Sequence, residues 1–174
     1  MREKENIGQW IEQATQAVAA GDLISALRLL HRAHRVTPAD RDLLLAIAHV
    51  YVRMENHALA EDALERILKR APEDGECWKL LGQVEKEQGR PYRALEAYQK
   101  AWDLGYHAGD AAAELATTYA SVGNGAAAER FAHFALRNKP KQWEPHRLLG
   151  DQYLERGRVS DAADEFQQAI DLGA

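Results

Sequence analysis

Apolar residues recur along the chain at the spacing of amphipathic helices. Around Leu23, Leu27 and Leu30, for example, hydrophobic residues follow one another at intervals of three or four. Such intervals place apolar side chains on one face of an α-helix, because the helix has about 3.6 residues per turn. No segment alternates apolar and polar residues over the length of a strand. The pattern therefore predicts an all-α protein.

The helical pattern repeats with a period of 34 residues. A glycine is expected to end the first helix of each period, because glycine readily adopts the left-handed conformation. A small residue five positions later would let the second helix approach the first closely. Each period therefore predicts a pair of antiparallel helices. The small residues are Ala26, Ala60, Ala94, Ala128 and Ala162, and the turn positions hold Gly21, Glu55, Gly89, Gly123 and Gly157.

This repeat resembles the tetratricopeptide repeat (TPR), whose pattern is W-x2-L-G-x2-Y, followed by A-x3-F and then P. The resemblance extends over five repeats in one phase, at 7–40, 41–74, 75–108, 109–142 and 143–174. It is weakest in the first repeat. The matching residues are Trp78, Leu81, Gly82, Ala94, Tyr98 and Ala101 in the third repeat and Leu149, Gly150, Tyr153, Ala162, Phe166 and Ala169 in the fifth.

The resemblance implies a right-handed superhelical solenoid of antiparallel helix pairs. The repeats would form one domain over residues 1–174, with residues 1–6 as a polar N-terminal lead. In TPR proteins the first helices of the repeats line a concave groove, and the second helices form the convex back. Partners typically lie in the groove as an extended peptide or a short helix. The expected function is therefore protein–protein interaction without catalysis.

The solvent-facing positions of the first helices predict which residues line the groove. Their chemistry changes along the chain, from apolar in the N-terminal half to basic in the middle and mixed at the distal end. An exposed apolar strip is typical of a binding surface. The predicted lining is Ile11, Thr15 and Val18 in repeat one, Leu45, His49 and Val52 in repeat two, Lys79, Gln83 and Lys86 in repeat three, Ala113, Thr117 and Ala120 in repeat four, and Arg147, Asp151 and Leu154 in repeat five.

The leading hypothesis is that an apolar peptide or an amphipathic helix of a partner protein docks near Leu45 and Val52. Acidic residues of that partner would then face Lys79 and Lys86. His49 lies in the middle of the predicted groove and could make binding sensitive to pH, because histidine titrates near neutrality.

One well-known use of TPR grooves is disfavoured by the sequence. Repeats that hold the C-terminal carboxylates of heat-shock chaperones use lysine, asparagine and arginine at fixed groove positions. If Lys79 took the first place, the others would hold Gln83, Glu114, Glu144 and Leu148. Two of these are acidic and would repel a carboxylate.

Composition narrows the class of partner and the compartment. The net charge of −5 argues against nucleic acid, which requires a basic face. No apolar run approaches the roughly 20 residues that span a bilayer, so no membrane span is expected. The N-terminal segment also lacks the apolar stretch of a signal peptide. Cys77 is the only cysteine and cannot form an intrachain disulfide, which favours a cytoplasmic location.

The candidate reactive residues do not form a catalytic or metal site in the sequence. His31 and His34 have a spacing that could chelate, but the arginines around them disfavour a cation. Cys77 has no activating base nearby in the sequence. The turn at 123–125 lacks the lysine and hydroxyl residue of a phosphate-binding loop. We therefore expect no enzyme activity, no metal and no cofactor.

The C-terminal repeat leaves other functions open. Ile170 and Leu172 would lie at an uncovered end, which suggests a homo-oligomer that forms through this repeat.

Three alternatives compete with groove binding. They are a self-assembling scaffold that displays its convex surface, a secretion-type chaperone that shields an apolar segment, and the recognition arm of a larger enzyme such as a glycosyltransferase.

Overall fold

The structure is a computed structural model that describes the backbone of residues 2–173 and the side chains of residues 7–173. Met1 and Ala174, which bound the predicted domain, lie outside the described residues. Over 2–173 the chain is helical and contains no strand, which confirms the all-α prediction. The helices are α1 (Arg2–Ala19), α2 (Leu23–Val36), α3 (Arg41–Arg53), α4 (His57–Leu68), α5 (Gly75–Glu87), α6 (Pro91–Asp103), α7 (Ala108–Ser121), α8 (Gly125–Asn138), α9 (Trp143–Glu155) and α10 (Val159–Asp171).

The helices follow the predicted phase of the repeat. Odd-numbered helices are the first helices of the five periods, and even-numbered helices are the second. The starts of α3, α5 and α9 at Arg41, Gly75 and Trp143 coincide with the predicted repeat boundaries, and α7 starts one residue early at Ala108. Helix α1 begins at Arg2, so the helical backbone extends into the segment that we expected to be only a polar lead.

The chain divides between Val84 and Glu85 into two compact units. In the first unit, Trp10 of α1, Leu30 of α2 and Ile47 of α3 belong to one buried cluster. In the second unit, the buried cluster includes Leu115 of α7 and Leu149 of α9. The organisation of both units as a single repeat domain stays a prediction.

The small residue of each repeat is buried as the pattern requires. All five alanines are at most 1% exposed, so their side chains lie fully inside the contacts between helices. A larger side chain at these positions would have no space without separating the helices. The five are Ala26, Ala60, Ala94, Ala128 and Ala162.

A charged network joins the starts of α3 and α5 in the first unit. The Arg41 guanidinium donates to both carboxylate oxygens of Asp74, at 2.7 and 2.9 Å, and to Glu76 at 2.6 Å. Asp74 also accepts a hydrogen bond from the backbone N–H of Cys77, which caps the first turn of α5. The Arg41 guanidinium holds the pKa of Asp74 below its usual value. The network therefore links the second repeat to the third.

The turns between paired helices adopt the left-handed conformation that their glycines predict. Gly21, Gly89, Gly123 and Gly157 have φ between 70° and 80°. Glu55 occupies the equivalent position of the second repeat and has φ 56°. The turn geometry is therefore kept where the sequence does not provide glycine, although this conformation is unfavourable for a residue with a Cβ atom.

We predict that Glu55→Gly stabilises the protein. Relief of the left-handed conformation is worth about 1–2 kcal/mol, and the greater freedom of glycine in the unfolded chain offsets about half of it. The free energy of unfolding, measured by urea denaturation, should rise by about 0.5–1 kcal/mol. The matched control is Glu65→Gly inside α4, which should lower it by about 1 kcal/mol. A loss of stability in Glu55→Gly would contradict the prediction.

Helices α9 and α10 are in close contact at Gly150. A Cβ atom built on Gly150 would lie 2.5 Å from Cε1 of Phe166, which is closer than packed atoms allow. In repeat five this position is glycine and the equivalent partner position in the second helix is aromatic. In repeats two and four the same position is alanine (Ala48 and Ala116), and the partner position holds the smaller residues Leu64 and Ala132. The glycine therefore makes room for the larger ring.

We predict that Gly150→Ala destabilises the protein. Overpacking costs about 1–3 kcal/mol, which outweighs the ~1 kcal/mol that alanine gains over glycine in a helix. The same change at Gly8 in α1, where nothing lies within 4 Å of the new Cβ, should instead raise stability. Thermal unfolding of both variants tests this, and equal shifts in Tm would show that the contact with Phe166 is unimportant.

Candidate functional site

A mostly apolar cleft of about 240 Å³ lies between α1 and α3 in the first unit. It brings together four residues that the sequence predicted in the groove, namely Ile11, Thr15 and Val18 of α1 and His49 of α3. Ile11 is 38% exposed, so the cleft offers an accessible apolar surface. The other lining residues are Ala14, Leu30, Ala46, Val50 and Arg53.

Hydrogen bonds fix the polar groups of this cleft. The Thr15 hydroxyl donates to the carbonyl of Ile11 within α1, at 2.9 Å. Arg53 donates to the carbonyl of Val18 at 2.9 Å, so it ties the end of α3 to the end of α1. Sequence analysis missed Ala46 and Arg53 as lining residues. Their spacing, three residues before and four after His49, was the signal that could have found them.

The prediction that Leu45 lines the groove is wrong. We expected its side chain to face solvent, but it is buried, with 7% exposed. Three consecutive leucines, Leu43 to Leu45, are all buried because they cover about 200° of the circumference of α3. Val52 is half-buried, and neither it nor Leu45 lines the α1/α3 cleft as described. The accessible apolar surface of this cleft therefore lies at Ile11, beside His49, and not at Leu45 or Val52.

The basic stretch of α5 also differs from expectation. The Lys86 ammonium lies 2.6 Å from the Glu114 carboxylate, so an internal acid already compensates its charge. The expectation that Lys86 faces acidic residues of a partner therefore loses its basis. Lys79 and Gln83 are half-buried, and they line none of the clefts found in the described part of the chain.

A second cleft, of about 490 Å³, lies between α7 and α9 in the second unit. It joins five predicted residues, Thr117, Ala120, Arg147, Asp151 and Leu154. Arg147 donates to Asp151 at 3.1 Å, so the positive and the negative charge form an ion pair. Leu154 is 52% exposed and gives the cleft an apolar edge. The mixed character predicted for the distal repeats is thus visible here in side-chain geometry.

Two of the candidate histidines and the cysteine have defined neighbours in the structure. His31 Nε2 lies 3.0 Å from the Tyr51 hydroxyl, and His34 Nε2 lies 3.1 Å from the Arg66 guanidinium. Burial raises the pKa of Cys77 to about 12, with Asp74 adding to the effect, so the thiol stays protonated at neutral pH. Among the described residues, no group of three histidine, cysteine or acidic side chains could hold a metal ion.

The end of the chain shows part of the expected exposure. Ile170 of α10 is 61% exposed, while Leu172 is half-buried. Self-association through this repeat stays a prediction. Within residues 2–173, each helix is too short or too polar to cross a membrane.

Two family models, both described as tetratricopeptide repeat, match residues 17–84 and 113–174. Together they cover most of the chain and include both the α1/α3 and the α7/α9 helix pairs in part or in full. The chain belongs to the tetratricopeptide-repeat family. The comparison with curated proteins found no match to the sequence.

Solved structures support the same fold for this TPR chain. A crystal structure of MamA aligns with a TM-score of 0.83 and 21% identity, over 91% of this chain and 93% of MamA. YrrB, described as a TPR protein with an unusual peptide-binding site, aligns with a TM-score of 0.77 and 20% identity, over 99% and 93%. PilF of Pseudomonas aeruginosa aligns with a TM-score of 0.87 and 18% identity, over 100% and 79%. At these identities the likeness establishes the TPR fold alone.

We predict that this TPR chain loses stability when the pH falls from 7.5 to 5.5. Desolvation lowers the pKa of His31, His34 and His49, and nearby cations lower each further, although Asp40 opposes this at His34 and Glu76 at His49. Below the ordinary pKa of about 6.5, the unfolded chain therefore binds protons that the folded chain does not. Stability is present above that pH and is lost as the pH falls through the lowered values.

Urea denaturation at pH 7.5, 6.5 and 5.5 measures this loss. The variant His31→Gln/His34→Gln/His49→Gln should lose less stability over the same interval, because its unfolded state lacks those three proton-binding groups. Equal losses in the wild type and the triple variant would contradict the assignment.

Proposed function

We propose that this TPR chain is a protein-interaction module that captures an apolar peptide or an amphipathic helix of a partner in the α1/α3 cleft. The observation that carries the proposal is the exposed apolar surface at Ile11, on a first helix of the array. Recognition of an amphipathic helix works through apolar anchors that enter such a groove. The described peptide-binding site of YrrB, a protein of the same fold, supports this class of partner.

The size of the cleft favours a side chain over a whole small molecule. Its 240 Å³ falls below the roughly 300–1,000 Å³ typical of small-molecule pockets. It suits one or two apolar side chains of a peptide that continues along the helices. His49 and Arg53 at the same cleft supply polar groups that can hydrogen-bond the partner's backbone or its acidic residues. The single cysteine, buried and without a disulfide, supports a cytoplasmic setting for this interaction.

We predict that Ile11→Glu weakens peptide binding by at least tenfold. Burial of one large apolar side chain is worth about 1.5–3 kcal/mol, which corresponds to about tenfold or more in affinity. Peptides selected from a random display library on the wild-type protein serve as probes, and their affinities are measured by fluorescence anisotropy. Ile24→Glu is the matched control, because Ile24 is 66% exposed on α2 and does not line the cleft.

The control variant should bind the selected peptides within about twofold of the wild type. Circular dichroism establishes that both variants keep their helix content. If Ile11→Glu binds as well as Ile24→Glu, the selected peptides occupy another surface and the assignment to the α1/α3 cleft is wrong. Protection of α1 and α3 amides from hydrogen exchange on binding would locate the peptide independently.

A further inference from the structure

A separate cleft of about 400 Å³ lies between α6 and α8, the second helices of repeats three and four. It belongs wholly to the second unit, and none of the predicted groove residues lines it. Its lining combines aromatic rings with two arginines, a composition that neither of the clefts described above has. The lining residues are Gln99, Trp102, Arg130, Phe131, Phe134 and Arg137.

Three rings form the apolar part of this α6/α8 cleft. The Trp102 ring meets the Phe134 ring with centroids 4.4 Å apart and planes at 73°, and meets the Phe131 ring at 5.5 Å and 90°. Such edge-to-face contacts hold the rings in defined positions. Trp102 and Phe134 are only half-buried, so part of their surface stays open at the cleft.

Two guanidinium groups lie against the same rings. Arg130 Cζ is 5.1 Å from the centroid of Phe131, and Arg137 Cζ is 5.7 Å from the centroid of Phe134. Within the part of the chain that the structure describes, neither guanidinium forms an ion pair or a hydrogen bond with another side chain. An arginine stacked on a ring keeps its in-plane N–H donors available. Both groups therefore lie against the rings with their donors open to an anion.

The repeat itself shows that this combination is specific to α8. The positions of Arg130, Phe134 and Arg137 can be traced through all five second helices at intervals of 34 residues. Only α8 joins two arginines to an aromatic residue between them. The other helices carry Arg28, Arg32 and Arg35; Asp62, Arg66 and Lys69; Glu96, Lys100 and Asp103; and Asp164, Gln168 and Asp171.

We propose that the α6/α8 cleft binds an acidic amphipathic segment of a partner protein. Two carboxylates of the segment pair with Arg130 and Arg137, and an apolar side chain between them packs on Trp102 and Phe134. The arginines are seven residues apart on one helix face, which separates them by about 10 Å along the axis. Carboxylates seven residues apart on a helical partner match this spacing.

The distribution of charge favours a peptide over other anions. On α6 the exposed acids Glu96 and Asp103 outnumber the one exposed base between them, Lys100, so the excess of positive charge lies on the α8 side of the cleft. A nucleic acid or an anionic membrane would place negative charge against both helices. A peptide can restrict its acids to the edge that faces α8. This is also consistent with the net charge of −5 of the chain.

The test uses two labelled helical peptides of 15 residues, titrated into the full chain by fluorescence anisotropy. One peptide has two glutamates seven residues apart with leucine and phenylalanine between them, and the other has glutamine in place of both glutamates. The wild type should bind the acidic peptide about tenfold more tightly than its glutamine counterpart. Arg130→Gln/Arg137→Gln should remove this preference.

The chain offers a matched control for charge. Arg28 and Arg35 occupy the equivalent positions of α2 and are exposed, but residues 29 and 32 between them are leucine and arginine. Arg28→Gln/Arg35→Gln changes the net charge equally and should leave the preference within about twofold of wild type. Phe134→Leu, checked for intact helix by circular dichroism, should weaken binding of both peptides and keep the preference for acid.

Four results would overturn the proposal. The first is equal affinity for the two peptides, and the second is an equal effect of the two arginine double variants. The third is tighter binding of a single-stranded oligonucleotide, which Arg130→Gln/Arg137→Gln abolishes. The fourth is self-association in sedimentation velocity that the same variant abolishes. The third result would assign the cleft to nucleic acid. The fourth would assign it to a second copy of the chain, whose Asp164 and Asp171 have the matching spacing.

Discussion

The close contact between paired helices is the constraint on which the rest of this structure depends. Each repeat buries one alanine of its second helix almost completely. Because these five alanines recur in one phase, position in the repeat indicates which face of each second helix is buried. Residues at other positions can then vary without loss of the fold. The clefts are lined largely by residues at those variable positions. The repeat can therefore keep one fold while each cleft has its own chemistry.

Sequence periodicity was sufficient to predict the helices because each boundary has its own chemical cause. Glycines at the turns, alanines at the crossings and acidic or amide caps such as Asp40, Asn56 and Asn124 act locally, within a few residues. Local causes can be read from a sequence. Glu55 is the exception, because the left-handed turn forms there with φ 56° although the residue is not glycine.

The candidate sites were harder to predict because exposure depends on neighbouring helices. Leu45 has a spacing that resembles a groove residue, yet consecutive leucines on α3 leave no side of that stretch open. The sequence predicts that Lys86 is free for a partner, but its ammonium pairs with Glu114, 28 residues away, and this pairing depends on how α5 and α7 pack. The α6/α8 cleft was missed for another reason. It lies between second helices, whereas the groove of TPR proteins is lined by first helices; its signal in the sequence is the pair Trp102 and Phe134, which differ from most of their equivalents in being aromatic.

The network at Arg41 has a consequence for how the array unfolds. Asp74 caps the first turn of α5 and binds Arg41, at the start of α3, with the same carboxylate. Fraying of the first turn of α5 would therefore disturb the bond to α3 as well. In a linear array, where each repeat contacts mainly its neighbours, such shared groups transmit cooperativity from one repeat to the next. Within the first unit, part of that cooperativity comes from these ion pairs, and dissolved salt weakens this part by screening the charges. Another part comes from the burial of apolar surface.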